Sequence, residues 1–237
     1  MAVPALETAE LEVVDLETTS LRDLNQRLHE LSGAPGPRAW RVLNPNGAHA
    51  LACGLDADVE VEIQGHVGYY CAGMNKRATV RVHGNASTGI AENMMSGLVV
   101  VDGNVSQSGG ATGRGGLLVV RGNASSRCGI SMKGIDIVVG GSVGHMSAFM
   151  AQRGTLVVCG DAGEALGDSI YEARIYVRGS VTGLGADCVE KEMLHEHVSQ
   201  LAGLLEASGI DADPADFRRY GSARQLYNFR IDNAGAY

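Results

Sequence analysis

The segment GGATGRGG, residues 109–116, is the part of this sequence that most resembles a phosphate-binding loop. Backbone N–H groups of a glycine-rich loop can cradle phosphate oxygens, but a P-loop also requires a strand before it, a helix after it and a Lys-Ser/Thr pair. This segment lacks both the pair and that context. We interpret it as a corner of a repeating fold, and the lone G-x-G at Gly183 and Gly185 as an equally weak signal.

Cysteine and histidine residues could supply nucleophiles or metal ligands. Cys71 and Cys128 share one position of the repeat described below, three turns apart and with no histidine nearby, so we predict inert thiols. His195 and His197 are two residues apart on a predicted helix and point to different faces, which is wrong for metal ligation, and we expect both to be solvated. The sequence therefore predicts no catalytic, cofactor-binding or metal-ligating residue and no cofactor in this chain. An odd number of cysteines without a C-x-x-C pair indicates reduced thiols: Cys53, Cys71, Cys128, Cys159 and Cys188.

Charge and composition narrow the classes of partner. The net charge of −8 argues against a nucleic-acid binder. No apolar run approaches the ~20 residues that span a membrane, and residues 1–12 hold three glutamates and no basic residue, unlike a signal peptide. No column of carboxylates recurs, which disfavours a carbohydrate-cleaving enzyme. We expect a cytoplasmic protein that binds neither nucleic acid nor membrane.

A 19-residue repeat organises the chain. Valine, isoleucine or leucine stands four and two residues before each of seven regularly spaced glycines, and valine or alanine two residues after it. Alternation with a period of two is typical of strands, and the identical spacing stacks those strands in parallel. The sequence predicts an all-β fold, a right-handed single-stranded parallel β-helix of about seven turns. The glycines, called corner glycines below, are Gly65, Gly84, Gly103, Gly122, Gly141, Gly160 and Gly179.

Two corners per turn are predicted. At the corner glycines we expect the backbone to turn, often with a positive φ that glycine adopts without steric cost. The next residue is small and polar in most turns, and the amides of Asn85, Asn104 and Asn123 should form a ladder in which each bonds the next rung. A second corner is predicted 13 residues after the corner glycine, where Ile135 interrupts a column of small residues and Gly134 stands one place earlier: Ala78, Gly97, Gly116, Gly154 and Ala173.

Three regions are predicted: an N-terminal segment (1–40), the β-helix (41–183) and a C-terminal helix with a docking tail (184–237). Ser20 should cap a helix that Gly33 ends, residues 34–38 are interpreted as a linker, and Val42 falls in the core register of an imperfect first turn. Asp213-Pro214 indicates a further helix start. We expect the helices to cover the solenoid ends, and deletion of residues 214–237 to weaken assembly while the solenoid stays folded. The apolar positions of the two helices are Leu21, Leu24, Leu28 and Leu31, and Val189, Met193, Val198, Leu201 and Leu205.

Two surface features are candidate interfaces. An outward valine strip lies three residues before successive corner glycines, and it marks either a protein interface or a surface covered by the chain's own terminal helices: Val100, Val119, Val138, Val157 and Tyr176. A basic column lies eleven residues after the corner glycines, beside Arg77 and Arg153, and is either a solvated edge or a docking surface for an acidic partner: Lys76, Arg114 and Lys133.

The repeated V-x-V-x-G-N/S turns with glycine-rich corners resemble the β-helical domain at the C-terminus of the large subunit of glutamate synthase. Stand-alone relatives of that domain include the β-helical chain of formylmethanofuran dehydrogenase and the β-helical chain of N-methylglutamate synthase. The stretch GNASTGIAENMMSGLVVVDGNVSQSGGATGRGGLLVVRGNASSRCGISMKG (84–134) and the tail FRRYGSARQLYNF (217–229) are most similar to the last of these. The resemblance covers residues 40–183 for the fold and nearly the whole sequence for the N-methylglutamate synthase chain.

The resemblance implies a division of labour among subunits. A glutamine-amidotransferase-like chain carries an N-terminal cysteine nucleophile, whereas residue 2 here is Ala2, and an FMN-binding synthase chain uses a (β/α)₈ barrel. The remaining role is a non-catalytic assembly subunit of a hetero-oligomer that makes N-methylglutamate from glutamate and methylamine. Two alternatives stay open: a subunit of a formylmethanofuran dehydrogenase complex, and an independent ligand-binding β-helix.

Overall fold

A computed structural model describes residues 11–36 and 38–224 of the chain. Their strands form one sheet in the order β1-β2-β3-β4-β5-β6-β7-β8-β9-β11-β10. Two α-helices and a short 3₁₀ helix complete the fold. The elements are β1 Leu11–Asp15, α1 Leu21–Glu30, β2 Ala39–Leu43, β3 Glu60–Gln64, β4 Thr79–Val82, β5 Leu98–Val101, β6 Leu117–Val120, β7 Lys133–Val139, β8 Arg153–Val158, β9 Arg174–Val177, β10 Cys188–Lys191, α2 His195–Ser208, the 3₁₀ helix Pro214–Asp216 and β11 Arg218–Ser222.

The register of the sheet confirms the predicted right-handed parallel β-helix of about seven turns. From β3 to β9, each strand pairs in parallel with the next, and residues 19 apart are partners. Val42 pairs with Ile63, as its core register predicted, and β1 adds one more strand beside β2. Bridges on a second face link the apolar positions that follow each corner glycine, from Val67 to Val181.

The core is the column of inward side chains that the period of two predicts. Val61, Val80 and Val99 begin one buried column, and Ile63, Val82 and Val101 begin the other. Because each rung contributes the same positions, these columns run through the solenoid as one apolar cluster.

Polar side chains form the predicted ladder on the surface. The side-chain oxygens of Asn85, Asn104 and Asn123 each accept a hydrogen bond from the backbone N–H of the next rung, at 2.8, 2.9 and 2.8 Å. The same contact recurs from His66 at one end to Asp161 at the other. Hydrogen bonds from the backbone and hydroxyl of Ser180 lower the pKa of the Asp161 carboxyl. The ladder therefore requires an acceptor at this position, whether amide, imidazole, hydroxyl or carboxylate.

Replacing Asn104 by alanine is expected to lower the free energy of unfolding by about 1 kcal/mol, because the N–H of Asn123 loses its acceptor. Asn104→Asp keeps an acceptor oxygen and is the matched control. Urea unfolding at neutral pH measures both variants. Equal losses for the alanine and aspartate variants would contradict the acceptor role.

The corner glycines are required for a reason other than the one predicted. Only Gly65 has a positive φ, 139°. The other six lie against the preceding turn: a Cβ on Gly122 would stand 2.6 Å from Asn104 Oδ1 and 2.7 Å from the carbonyl oxygen of Gly103. The positive φ expected at this corner is thus wrong for six of the seven glycines, and close approach of two rungs explains them instead.

Positive φ values occur at the other side of each turn. Gly97, Gly116 and Gly154, at the predicted second corner, have φ of 85°, 83° and 105°. In addition, residues five, seven and nine after a corner glycine are left-handed in most turns, and many are not glycine, such as Tyr70 and Met74. Hydrogen bonds to the neighbouring turns hold this backbone, whose left-handed residues would otherwise each cost about 1–2 kcal/mol.

The N-terminal end of the solenoid is covered by α1, as predicted. Ser20 accepts a hydrogen bond from the N–H of Asp23, and Leu24 and Leu28 are fully buried in the main apolar cluster. The Asn25 side chain links the helix to the first turn: its amide donates a hydrogen bond to the carbonyl oxygen of Ala50, and its oxygen accepts one from the N–H of Ala52. The helix ends at Glu30, before Gly33. These contacts close the apolar core at this end, while β1 forms the edge strand of the sheet.

The C-terminal region differs from the prediction. Strand β11 lies between β9 and β10 and pairs antiparallel with both, so β10 is the last strand of the sheet. Helix α2 packs on the outer face instead of covering the end. Val189 belongs to strand β10, so the predicted helical pattern began too early. Asp213 does begin a 3₁₀ helix. Because residues 218–222 form β11, deletion of residues 214–237 would remove a strand of the sheet as well as the tail, and the expectation that the solenoid stays folded without them remains a prediction. Residues 225–237 of the proposed tail, like residues 1–10, lie outside the described residues.

Neither α-helix in the described part of the chain is long and apolar enough to cross a membrane.

Candidate functional site at the bulge in β7

The outward valine strip is not an exposed docking surface. Val138, Val157 and Tyr176 are fully buried and pack against Leu201 and Leu205 of α2. Val119 and Val100, farther along the strip, are only 1% and 6% exposed. The chain's own helix therefore covers most of this strip, and the strip's assignment as a partner interface is corrected.

The basic column remains at the surface. Lys76, Arg114 and Lys133 are exposed. Lys76 Nζ lies 2.6 Å from a carboxylate oxygen of Asp56, so its charge is partly balanced. Lys133 pairs across the sheet with Arg153, which brings two cations together at the start of β7 and β8.

A β-bulge follows that pair and reshapes the sheet. Lys133 faces Arg153, but Asp136 faces Thr155, so β7 carries one more residue than β8 over this interval. The extra residue falls at Gly134 and Ile135, where the sequence breaks the column of small residues. Gly134 has a φ of 140° and the Ile135 side chain is buried. Bulges of this kind redirect neighbouring side chains and are common beside functional sites.

A polar cleft of about 330 Å³ opens beside the bulge, and its size lies at the lower end of the range for small-molecule sites. Gln200 of α2 forms its back wall. The Gln200 side-chain oxygen accepts hydrogen bonds from Arg174 at 2.8 Å and from the Tyr176 hydroxyl at 3.0 Å, and its amide donates to Thr155 at 3.2 Å. The lining residues are Gly134, Asp136, Arg153, Gly154, Thr155, Glu172, Arg174 and Gln200.

Charge in this cleft is mixed and partly desolvated. Burial raises the pKa of the Asp136 carboxyl, and hydrogen bonds from Thr155 oppose that shift. The guanidinium of Arg153 is exposed and has no hydrogen bond or ion pair to another side chain in the described part of the chain. A second cleft, of about 490 Å³, shares Arg153 and Glu172 and adds Lys133. The arrangement can therefore hold a charged small molecule.

The thiols are placed as the sequence analysis predicted, in the core rather than in the cleft. Cys71 and Cys128 are fully buried. Burial raises the pKa of the Cys128 thiol to about 12 and that of Cys71 further still. A thiol must ionise to act as a nucleophile, so these two residues are unreactive at neutral pH.

One histidine differs from the prediction. His195 is exposed, but His197 is buried and accepts a hydrogen bond from the N–H of Leu194 at 3.1 Å through Nδ1. Burial lowers its pKa. His197 therefore fixes the start of α2 rather than meeting solvent. Within residues 11–36 and 38–224, no three His, Cys, Asp or Glu side chains are grouped to hold a metal ion.

Sequence reasoning missed the cleft. The residues that line it come from the bulge, from two adjacent strands and from α2. Of these features, only the bulge is visible in the sequence, where Ile135 interrupts the column of small residues. Gln200 stands in no repeat position, and its role depends on where α2 packs.

Comparison with known proteins places the chain in a family. It is 62% identical over 226 residues to protein GlxC of Rhizobium meliloti (strain 1021), an alignment that covers 95% of this chain and 99% of that protein. No model of a known protein family matches the chain. An identity of this size over nearly the full length of both proteins shows that they belong to one family. The chain belongs to the GlxC family.

Proposed function

We propose that this chain is a non-catalytic assembly subunit of a glutamate-synthase-like enzyme, with N-methylglutamate synthase as the specific activity. It would bridge a glutamine-amidotransferase-like chain and an FMN-binding synthase chain in a hetero-oligomer. The flavin chemistry and the glutaminase chemistry would belong to those partners. The resemblance of the repeated turns to glutamate-synthase β-helices supports the choice of enzyme.

An exposed apolar patch carries the proposal of an assembly role. Tyr69, Tyr70, Met74 and Met95 lie in two consecutive turns and are 47%, 49%, 52% and 46% exposed. Tyr69 stacks on His49 at 4.5 Å, which holds the aromatic ring outward in a fixed position. Exposed apolar groups of this kind mark protein interfaces. Since α2 covers most of the valine strip, this apolar patch is now the better candidate for contact with a partner.

The basic column adds charge beside the patch. Lys76 follows Met74 in the same turn, and Arg114 stands one turn beyond Met95 in the same column. An apolar centre with cations at its edge fits a partner surface that is apolar in the middle and acidic at the rim.

Co-expression tests the assembly role. We expect the amidotransferase-like and flavin chains to co-purify with this chain and to lose complex formation and N-methylglutamate synthesis when it is omitted. Full activity and assembly of the two chains alone would refute the proposal. Glutamate-dependent flavin chemistry with an acceptor other than methylamine would keep the assembly role and reject the specific activity.

The patch is tested with a double variant, Met74→Glu with Met95→Glu, which should reduce co-purification of the partners without changing the melting temperature, because both side chains are exposed. Met150→Glu is the matched control, since Met150 occupies the same repeat position as Met74 four turns away. Equal co-purification for the double variant and the control would place the interface elsewhere.

A further inference from the structure

Cations gather at the C-terminal end of the solenoid, although the chain as a whole carries a net charge of −8. The polar cleft at the bulge adjoins two further clefts, because all three share Glu172. Their carboxylates are Asp136 and Glu172 alone among the described lining residues. The cations that line them are Lys133, Arg153, Arg174, Lys191, Arg219 and Arg224.

Some of these cations are close enough for their positive charges to lower the pKa of their neighbours. Burial lowers the pKa of Lys191, and the positive charges of Arg219 and Arg224 lower it further. Burial also lowers the pKa of Arg219, and Arg174 adds to that effect. Like charges brought together out of water raise the free energy of the folded state unless anions balance them. The negative charge of Asp187 opposes the shift at Lys191, and those of Glu196 and Glu192 oppose it at Arg219, so part of the positive charge is balanced within the chain.

The geometry of the cleft shows which cation an anion could reach. Arg153 lines the cleft, is exposed, and pairs with Lys133 directly before the bulge. Gly134 and Gly154 also line the cleft and add no side chain to it. Arg174 faces the same space from the next strand and is held in place by Gln200.

We propose that this cleft binds a small free carboxylate, held by Arg153 and Arg174. The planar guanidinium matches the two oxygens of a carboxylate, and hydrogen bonds between charged groups are the stronger kind. Glu172 and Asp136 in the same wall favour a singly charged carboxylate group over a phosphate dianion, because repulsion grows with the ligand's charge. This inference does not rest on the proposed assembly role.

Isothermal titration of the purified full-length chain with butyrate, which carries a single negative charge at neutral pH, and separately with inorganic phosphate, tests the proposal at low ionic strength. We expect butyrate to bind more tightly than phosphate, and Arg153→Gln to weaken butyrate binding by about tenfold or more. Arg127→Gln is the matched control, an exposed arginine in the preceding turn that lines none of these clefts. It should leave the affinity unchanged.

Three results would overturn the proposal: no heat of binding with butyrate, tighter binding of phosphate than of butyrate, or equal weakening by Arg127→Gln and Arg153→Gln. Thermal unfolding of each variant verifies that it is folded. If Arg153→Gln does not fold, Lys133→Gln at the same edge replaces it and should weaken binding in the same direction. Titration uses this chain alone, so its outcome is separate from that of the co-expression experiment.

Discussion

Replacing Gly122 by valine is expected to lower the free energy of unfolding by about 3 kcal/mol or more, or to prevent folding. A Cβ at this position would lie 2.6 Å from Asn104 Oδ1, 2.7 Å from the carbonyl oxygen of Gly103 and 2.9 Å from its carbonyl carbon. Two of these neighbours are backbone atoms of the adjacent rung, which cannot move without breaking the parallel register. Circular dichroism and urea unfolding measure the effect.

Substitution of Gly122 by asparagine distinguishes two explanations for this glycine: contact with the neighbouring rung and a requirement for a positive φ. Asparagine tolerates a positive φ better than alanine does, so it would rescue a corner that needed only that conformation. Because Gly122 has no positive φ, Gly122→Asn should be no better than Gly122→Ala. Gly209 has a φ of 66° and open space within 4 Å of the position that a Cβ would take, so it is the matched control at which asparagine should be the milder change. Tolerance of valine at Gly122 would contradict the rung-contact explanation.

The repeat could be predicted from the sequence because two simple patterns determine it. An apolar residue at alternate positions determines the inward face, and a fixed interval of 19 residues determines which residues stack. The structure pairs Val61 with Val80, and Val80 with Val99, as that interval requires. The Asn ladder was predictable for the same reason.

The left-handed backbone was not predictable from residue type. Tyr70 and Met74 have φ near 60°, a conformation that side chains of their size seldom adopt and that no pattern in the sequence indicates. Hydrogen bonds from neighbouring turns impose it, so it follows from the assembled solenoid rather than from local preference. The cleft at the bulge escaped prediction in a similar way, because Asp136, Arg174 and Gln200 meet only after α2 has packed.

The valine strip shows a related limit of prediction from the sequence. An outward column of valines and an amphipathic helix are two separate signals, and either could have faced a partner chain. In the structure α2 lies between β10 and β11 in the chain and packs against β7, while β11 runs antiparallel between β9 and β10. The sequence left two possibilities open, and packing selected the intramolecular one.

Replacing Leu201 by alanine tests that packing and is expected to lower the free energy of unfolding by about 3 kcal/mol, within the range for fully buried leucines. Leu201 is fully buried against the strip residues Val138, Val157 and Tyr176. Glu206→Ala, on the exposed side of the same helix, should change it by less than about 0.5 kcal/mol. Urea unfolding measures both variants.

The Leu201→Ala variant also tests whether the valine strip promotes self-association when α2 packs less tightly over it. If α2 covers the apolar strip in solution, Leu201→Ala should also increase binding of a hydrophobic dye and concentration-dependent self-association, because the valines of β7 and β8 would be transiently exposed. Glu206→Ala should do neither. A Leu201→Ala protein as stable as wild type would mean that α2 does not stabilise the fold, and the strip would then return as a candidate surface for a partner chain.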